Sequence, residues 1–350
     1  MSIALIVSAC SDKKANNTKS NSEQATIKSL AASGSTFAGP FYKTAFSNYL
    51  KNTGVSVTYG LTGSGAGIRS LKDKVVDFCG SDAFLSDEAM AKMPGAVVHI
   101  PTCSGAVDIA FNLPGITEIK LTPAVLTKIF MGKITKWNNS ELKKLNPDVS
   151  FPNLAITVVH RSDGSGTTAI FADYMSKISK AWNDQVGKGK SLKWPIGIGA
   201  KGNPGVAGTI SSTKGALGYI GSDYASAQKI SFALLQNKSG NFIAPTIAAV
   251  SAAGNGEMPA DTRVMETNSS AAQAYPISGF TWIILYKDQN YNGRSYERAK
   301  ANLEAIDFIL NPEAQSIAKK LNYAPLPEKV VAMAKGLLRT VTYNGKTILK

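Results

Sequence analysis

The chain has 350 residues, with 38 lysines and arginines against 24 aspartates and glutamates, giving a formal net charge of +14. Its 44% hydrophobic and 18% charged content fits roughly two globular domains and excludes disorder throughout. Three cysteines exclude a disulfide-stapled mini-domain, two histidines (His99 and His160) make a His-rich metal site or a Ser-His-Asp hydrolase hard to build, and no apolar run reaches the about 20 residues that span a bilayer.

Residues 1–25 do not read as part of a fold. The apolar stretch Ile3-Ala-Leu-Ile-Val7 runs into Val7-Ser-Ala-Cys10, then into a polar tract rich in Lys, Asn and Ser. This order resembles a bacterial lipoprotein signal with its lipobox, which implies lipidation at Cys10 and a flexible tether behind it. From residue 26 onward strands and helices alternate. Pro40 opens a helix with Phe41, Ala45, Phe46, Tyr49 and Leu50 on one face, stopped by Gly54. Residues 55–59 alternate as a strand. A Gly-rich loop follows, then a short helix from Ile68 and a strand over 75–79. Ser86-Asp-Glu88 starts another helix. Thr122-Pro123 caps and opens a helix that Gly132 stops. Residues 155–159 form a strand, 167–178 a helix, and 302–310 and 312–321 two more helices. The longest apolar run, Phe280-Thr-Trp-Ile-Ile-Leu-Tyr286, is strand-sized. Cys79 and Cys103 lie in apolar strand-like runs, as buried free thiols or, in an oxidising compartment, a disulfide pair. The alternation predicts an α/β fold of mainly parallel sheets covered by helices.

Three loops share one chemistry. Gly34-Ser-Thr-Phe37, Thr62-Gly-Ser-Gly-Ala-Gly67 and Arg161-Ser-Asp-Gly-Ser-Gly-Thr167 each put small hydroxyl residues and glycines at the start of a helix. First-turn N–H groups lack partners and the helix dipole is positive there, so such loops bind anions. In α/β sheets they gather at the carboxyl ends of the strands. Arg161 adds a planar fork suited to a tetrahedral oxyanion, and Asp163 is placed to hold it. The scattered positive charge also favours an anionic partner, without choosing among nucleic acid, a membrane surface and an acidic small molecule.

Enzyme motifs fail in these loops. In none of the three is a glycine followed by the Lys-Ser/Thr of a P-loop. The dinucleotide fingerprint breaks at Ile68. G-x-S-x-G breaks around both Ser64 and Ser165. Gly197-Ile-Gly-Ala-Lys-Gly-Asn-Pro-Gly205 is glycine-rich without a catalytic partner and reads as a loop packing near the site.

The order and spacing of five motifs resemble one family. They are Gly34-Ser-Thr-Phe-Ala-Gly-Pro40, Thr62-Gly-Ser-Gly-Ala-Gly67, Val76-Asp-Phe-Cys-Gly-Ser-Asp82 with Leu85-Ser-Asp87, Arg161-Ser-Asp-Gly-Ser-Gly-Thr167, and Trp194-Pro-Ile-Gly197. From about Ala31 to the C-terminus the chain is similar to PstS, the phosphate-binding proteins of the bacterial high-affinity phosphate ABC transporter. The resemblance implies a two-lobed, type II periplasmic-binding-protein fold, each lobe a mainly parallel sheet flanked by helices. One lobe would comprise residues 26–102 and 275–350, the other 103–274. It implies phosphate held by Thr36, Phe37, Ser64, Asp82, Arg161, Ser165, Gly166 and Thr167, with Asp163 supporting Arg161 and neither metal nor cofactor. Cys79 stands where the family usually has a small residue. The implied partners are inorganic phosphate and the transporter's membrane permease. The protein would be a monomer, not an enzyme and not a nucleic-acid binder, in the periplasm or at the cell surface, anchored through Cys10.

Physical reasoning supports the role of Asp82. Phosphate near neutral pH keeps at least one proton and sulfate keeps none, so a buried carboxylate accepts from the first and repels the second. A receptor for another tetrahedral oxyanion such as sulfate or molybdate, a phosphatase-type enzyme and a nucleic-acid surface remain the competing readings.

Overall fold

The computed structural model describes residues 27–350. The lipobox, Cys10 and its tether lie outside the described residues. Local signals set most of the boundaries. The first half runs β1 (Ser29–Gly34), α1 (Gly39–Thr53), β2 (Ser56–Gly60), α2 (Ser64–Lys72), β3 (Phe78–Ser81), α3 (Asp87–Ala91), β4 (Val97–Phe111), β5 (Glu118–Leu121), α4 (Pro123–Phe130), α5 (Ser140–Leu145), β6 (Thr157–Arg161) and α6 (Gly166–Ile178). It continues through α7 (Lys180–Gln185), β7 (Ile198–Ala200), α8 (Gly202–Ser212), β8 (Ala216–Gly221), α9 (Ser222–Gln228), β9 (Ser231–Gln236), β10 (Phe242–Ile243), α10 (Ile247–Ala253) and β11 (Ser278–Tyr286). Helices α11 (Tyr296–Ile309), α12 (Pro312–Lys320) and α13 (Glu328–Arg339) and the small hairpin β12 (Thr342–Tyr343), β13 (Lys346–Thr347) end the chain.

Eleven strands form one sheet, whose main path is β2-β1-β3-β11-β4-β8-β6-β7. Its two outer stretches are parallel: β2, β1 and β3 on one side, β8, β6 and β7 on the other. Between them β11 pairs antiparallel with β3 and β4, and β4 antiparallel with β8. The fifteen-residue β4 therefore belongs to both halves. Its first part pairs with β11 and its last with β8 and β9, and the register breaks between Thr281 and Trp282. Aromatic residues pack beneath each half. Phe46 lies on Phe78 on one side, and Phe171 stacks on Tyr219 at 4.5 Å on the other. No helix among the described residues is long and apolar enough to cross a membrane.

Four expectations shift. The helix placed at Ile68 starts four residues earlier, at Ser64, because Gly63 (φ 86) turns the chain directly into the first helical turn. The strand placed at 75–79 is Phe78–Ser81. Lys74 is left-handed (φ 57) and Val75 is 70% exposed, so the apolar pair Val75-Val76 belongs to a turn. The helix placed at 302–310 begins at Tyr296, where the Ser295 hydroxyl accepts from the Arg298 N–H. Leu50, assigned to the buried face of α1, is 42% exposed. Cys79 and Cys103 are free and buried. Strand β11 runs between theirs, which puts them about two strand spacings apart, too far for a disulfide. Burial raises both thiol pKa values.

Candidate functional site

The three hydroxyl-rich loops meet where the two halves of the sheet face each other. Just past β1, Ser35 donates its hydroxyl to Asp82 Oδ1. From the first turn of α2, Ser64 Oγ stands 3.5 Å from Asp82 Oδ2. Thr281 of β11 donates to Asp82 Oδ1 at 2.9 Å. Asp82 follows the end of β3 and is 1% exposed. Burial raises its pKa to about 6, against the lowering pull of Ser35, Thr281, the Arg161 charge and Ser64. At neutral pH it is therefore ionised, held by hydroxyl donors and one distant guanidinium charge.

Across the cleft, Arg161 ends β6 and is 3% exposed. Its Nε and Nη2 fork onto Asp163 at 2.7 and 2.6 Å, and Nη1 points to Thr167 Oγ1 at 3.4 Å. Burial alone would raise the Asp163 carboxyl, but the Arg161 hydrogen bonds and charge, with the Gly202 N–H, hold it below the usual carboxylate range. Asp163 spends its acceptors on Arg161 and Gly202, so Nη1 is the edge of the guanidinium turned toward the cleft. Ser165 caps α6 by accepting from the Thr168 N–H at 3.0 Å, which sets Gly166 and Thr167 as the helix's first residues. The Gly166 N–H, with no partner inside the helix, is directed at the opposite half.

The two halves touch directly. Gly166 N–H donates to Ser64 Oγ at 3.1 Å, and Gly65 N–H donates to the Gly164 carbonyl at 2.8 Å. Two glycines are needed for the approach. A Cβ on Gly166 would stand 2.5 Å from both Asp82 Oδ2 and Ser64 Oγ, and one on Gly63 would meet Asp163 Oδ2 at 2.4 Å.

Thr36, Ser64, Asp82, Arg161, Asp163, Ser165, Gly166 and Thr167 thus fall within one connected cluster. Phe37 adjoins it as the residue after Thr36, but its own contacts run to Tyr323: its carbonyl accepts from Tyr323 Oη at 2.6 Å and its ring packs edge-on to the same side chain. Three further residues belong to the cluster. Asn203 joins the halves, donating from N and Nδ2 to Thr36 Oγ1 at 3.1 Å each and from Nδ2 to Thr167 Oγ1 at 3.0 Å. The glycine-rich stretch read as packing near the site is the start of α8, which carries this residue. Ser35 lies inside a quoted motif and was readable as a second hydroxyl. Thr281 carries no local signal, because β11 returns from far along the sequence. Among the described residues no cluster of three or more His, Cys, Asp or Glu could hold a metal ion.

A mixed sheet with parallel outer halves, two strands crossing between them and an anion-binding cleft at their junction defines a periplasmic-binding-protein fold of type II. The chain matches the PBP superfamily domain over residues 19–313. It is 37% identical over 328 residues to the phosphate-binding protein PstS of Pasteurella multocida (strain Pm70), covering 92% of this chain and 93% of that one. Its fold is similar to a phosphate-binding protein from Stenotrophomonas maltophilia (TM-score 0.66, 18% identity, 88% and 93% covered). It also matches an ABC-type phosphate transport receptor from Vibrio cholerae (TM-score 0.54, 19% identity, 85% and 100% covered). The chain belongs to the PstS family of phosphate-binding proteins.

Proposed function

We propose that the protein is an extracytoplasmic solute-binding protein that captures one inorganic phosphate and delivers it to the membrane permease of a phosphate ABC transporter. The observation that carries this reading is the pairing of a buried, hydroxyl-held carboxylate, Asp82, with a buried guanidinium, Arg161, across one cleft lined by neutral donors. Asp82 accepts the proton that phosphate keeps. Arg161 Nη1, the hydroxyls of Thr36, Ser64, Ser165 and Thr167, and the N–H groups at Phe37 and Gly166 supply donors to the remaining oxygens. This donor set neutralises the anion without a metal. Sulfate would place an unprotonated oxygen against Asp82, a repulsive contact that selects against it.

In this reading residues 26–102 and 275–350 form one lobe and 103–274 the other, with β4 running from one into the other and the chain returning just before β11, and closure is a hinge motion about those two crossings. The cleft holds no activated nucleophile, so the protein binds and releases phosphate unchanged. It works as a monomer in the periplasm or at the cell surface, anchored through Cys10. The names of its relatives support phosphate as the ligand and an ABC transporter as the setting.

Calorimetric titration with phosphate and with sulfate tests the reading. Phosphate should bind one to one and sulfate should not compete. Arg161→Ala should weaken phosphate by about two orders of magnitude or more, the scale of stranding one member of a buried charge pair. Equal binding of both anions, or an unchanged dissociation constant for Arg161→Ala, would overturn it.

A further inference from the structure

Beside the anion cluster one cation has no assigned part. Ser165 donates its backbone N–H to the Lys190 carbonyl at 2.9 Å. The connection from α7 to β7 that carries Lys190 is pinned by Trp194, whose ring stacks on His160 at 4.5 Å and on Tyr219 at 5.7 Å. His160 immediately precedes Arg161, so the position of Lys190 is fixed relative to the site. Its neighbour Ser191 lies over Gly164, with Oγ 3.8 Å from where a Cβ there would stand. Gly164 is the residue whose carbonyl accepts from Gly65 of the opposite half. Lys190 therefore sits at the seam between the halves.

The side chain is half-buried. Burial lowers its pKa. The acids around it are engaged elsewhere: Asp163 with Arg161, Asp82 with hydroxyls, and Asp173 with Lys177 and, at 3.9 Å, Lys188. Among the described residues no carboxylate lies within ion-pair distance of the Lys190 ammonium. A half-buried, unpaired cation is costly to keep unless a negative charge arrives to offset it. Lys193 and Lys201, on the same stretch of chain, are exposed and solvated.

We propose that Lys190 is a positioning residue for the anion, an unpaired cation at the seam whose field draws phosphate into the cleft and favours the loaded, closed form without touching the ligand. This rests on the phosphate reading above. Low-dielectric walls strengthen such a field, and salt screens it.

The test is calorimetric titration of inorganic phosphate over a range of NaCl concentrations, for wild type, Lys190→Gln, Lys190→Arg and Lys193→Gln. Lys190→Gln should weaken binding about three- to tenfold at low salt, and its affinity should fall less steeply with salt than that of wild type. Lys190→Arg and Lys193→Gln should keep both the affinity and the slope. If Lys190→Gln matches wild type in both, or weakens binding with the slope unchanged, the proposal is overturned, because a purely structural role would leave the slope alone. Failure of wild type to bind phosphate at all would instead sink the phosphate reading, and this inference with it.

Discussion

At Asp82 burial and hydrogen bonding pull in opposite directions. Burial wins, and the pKa rises from 3.8 to about 6. An acid whose folded pKa is raised favours the folded state only while protonated. Its contribution is full below pH 3.8 and is lost as the pH climbs through about 6. At neutral pH the ionised carboxylate therefore costs the phosphate-free protein about 3 kcal/mol. Asp82→Asn should raise the Tm measured without phosphate at pH 7, and the gain over wild type should vanish as the pH falls below 4. The same variant removes the clash with sulfate, so the ratio of sulfate to phosphate dissociation constants should drop by about tenfold or more. A ratio that does not move would make Asp82 a structural carboxylate. Arg161 stands out from the chemistry of its own loop, and Asp82 only through the resemblance to the family. Thr281 does not stand out, because only the antiparallel return of β11 beside β3 brings it to the carboxylate, and nothing local in Phe280-Thr-Trp records that pairing.

The helices show a second limit of local reading. α1 follows its signals, from Pro40 near its start to Gly54 (φ 75) at its end. α2 does not: glycines at 63, 65 and 67 read as a loop, yet Gly63 alone makes the turn and the others are helical. The smallness of 65 and 67 answers to neighbours on other elements. A Cβ on Gly67 would meet Gly34 Cα at 2.5 Å, and one on Gly65 would meet Gly164 Cα at 3.0 Å. Sequence shows that a residue is small, but not whether a turn or a close approach requires it. Gly166 at the head of α6 is the sharpest case. Alanine suits a helix better than glycine by about 1 kcal/mol, but here its methyl group would strike Asp82 and Ser64 in the opposite half. Gly166→Ala should leave the phosphate-free Tm equal to or above wild type while weakening phosphate binding at least tenfold, read by calorimetry and titration together. A variant that binds normally would show that the halves need not approach this closely.

Across the whole molecule the sheet is continuous, and β4 threads both halves. The α/β class was legible from alternating elements. The continuity was not, since β4 carries no turn signal in its fifteen residues to mark where it changes partners. A ligand bridging the halves stabilises the assembly by mass action, about 2.7 kcal/mol at a hundredfold excess over its dissociation constant. Thermal unfolding by calorimetry should move to higher temperature as phosphate is added and should be unmoved by sulfate. Equal shifts with both anions would point to a general salt effect.

The hydrogen bonds from Gly65 to Gly164 and from Gly166 to Ser64 set the timing of transport in the proposed cycle. With Arg161 and Asp82 almost wholly covered, an ion inside would have no exit until these contacts and the Asn203 bridge to Thr36 break, so its dwell time would follow how often the halves part. Loading and unloading then become separate kinetic problems. Capture can be fast from dilute medium, while an isolated carrier holds its cargo. In the proposed cycle the permease would deliver by parting the seam, which would confine discharge to the place where transport can follow.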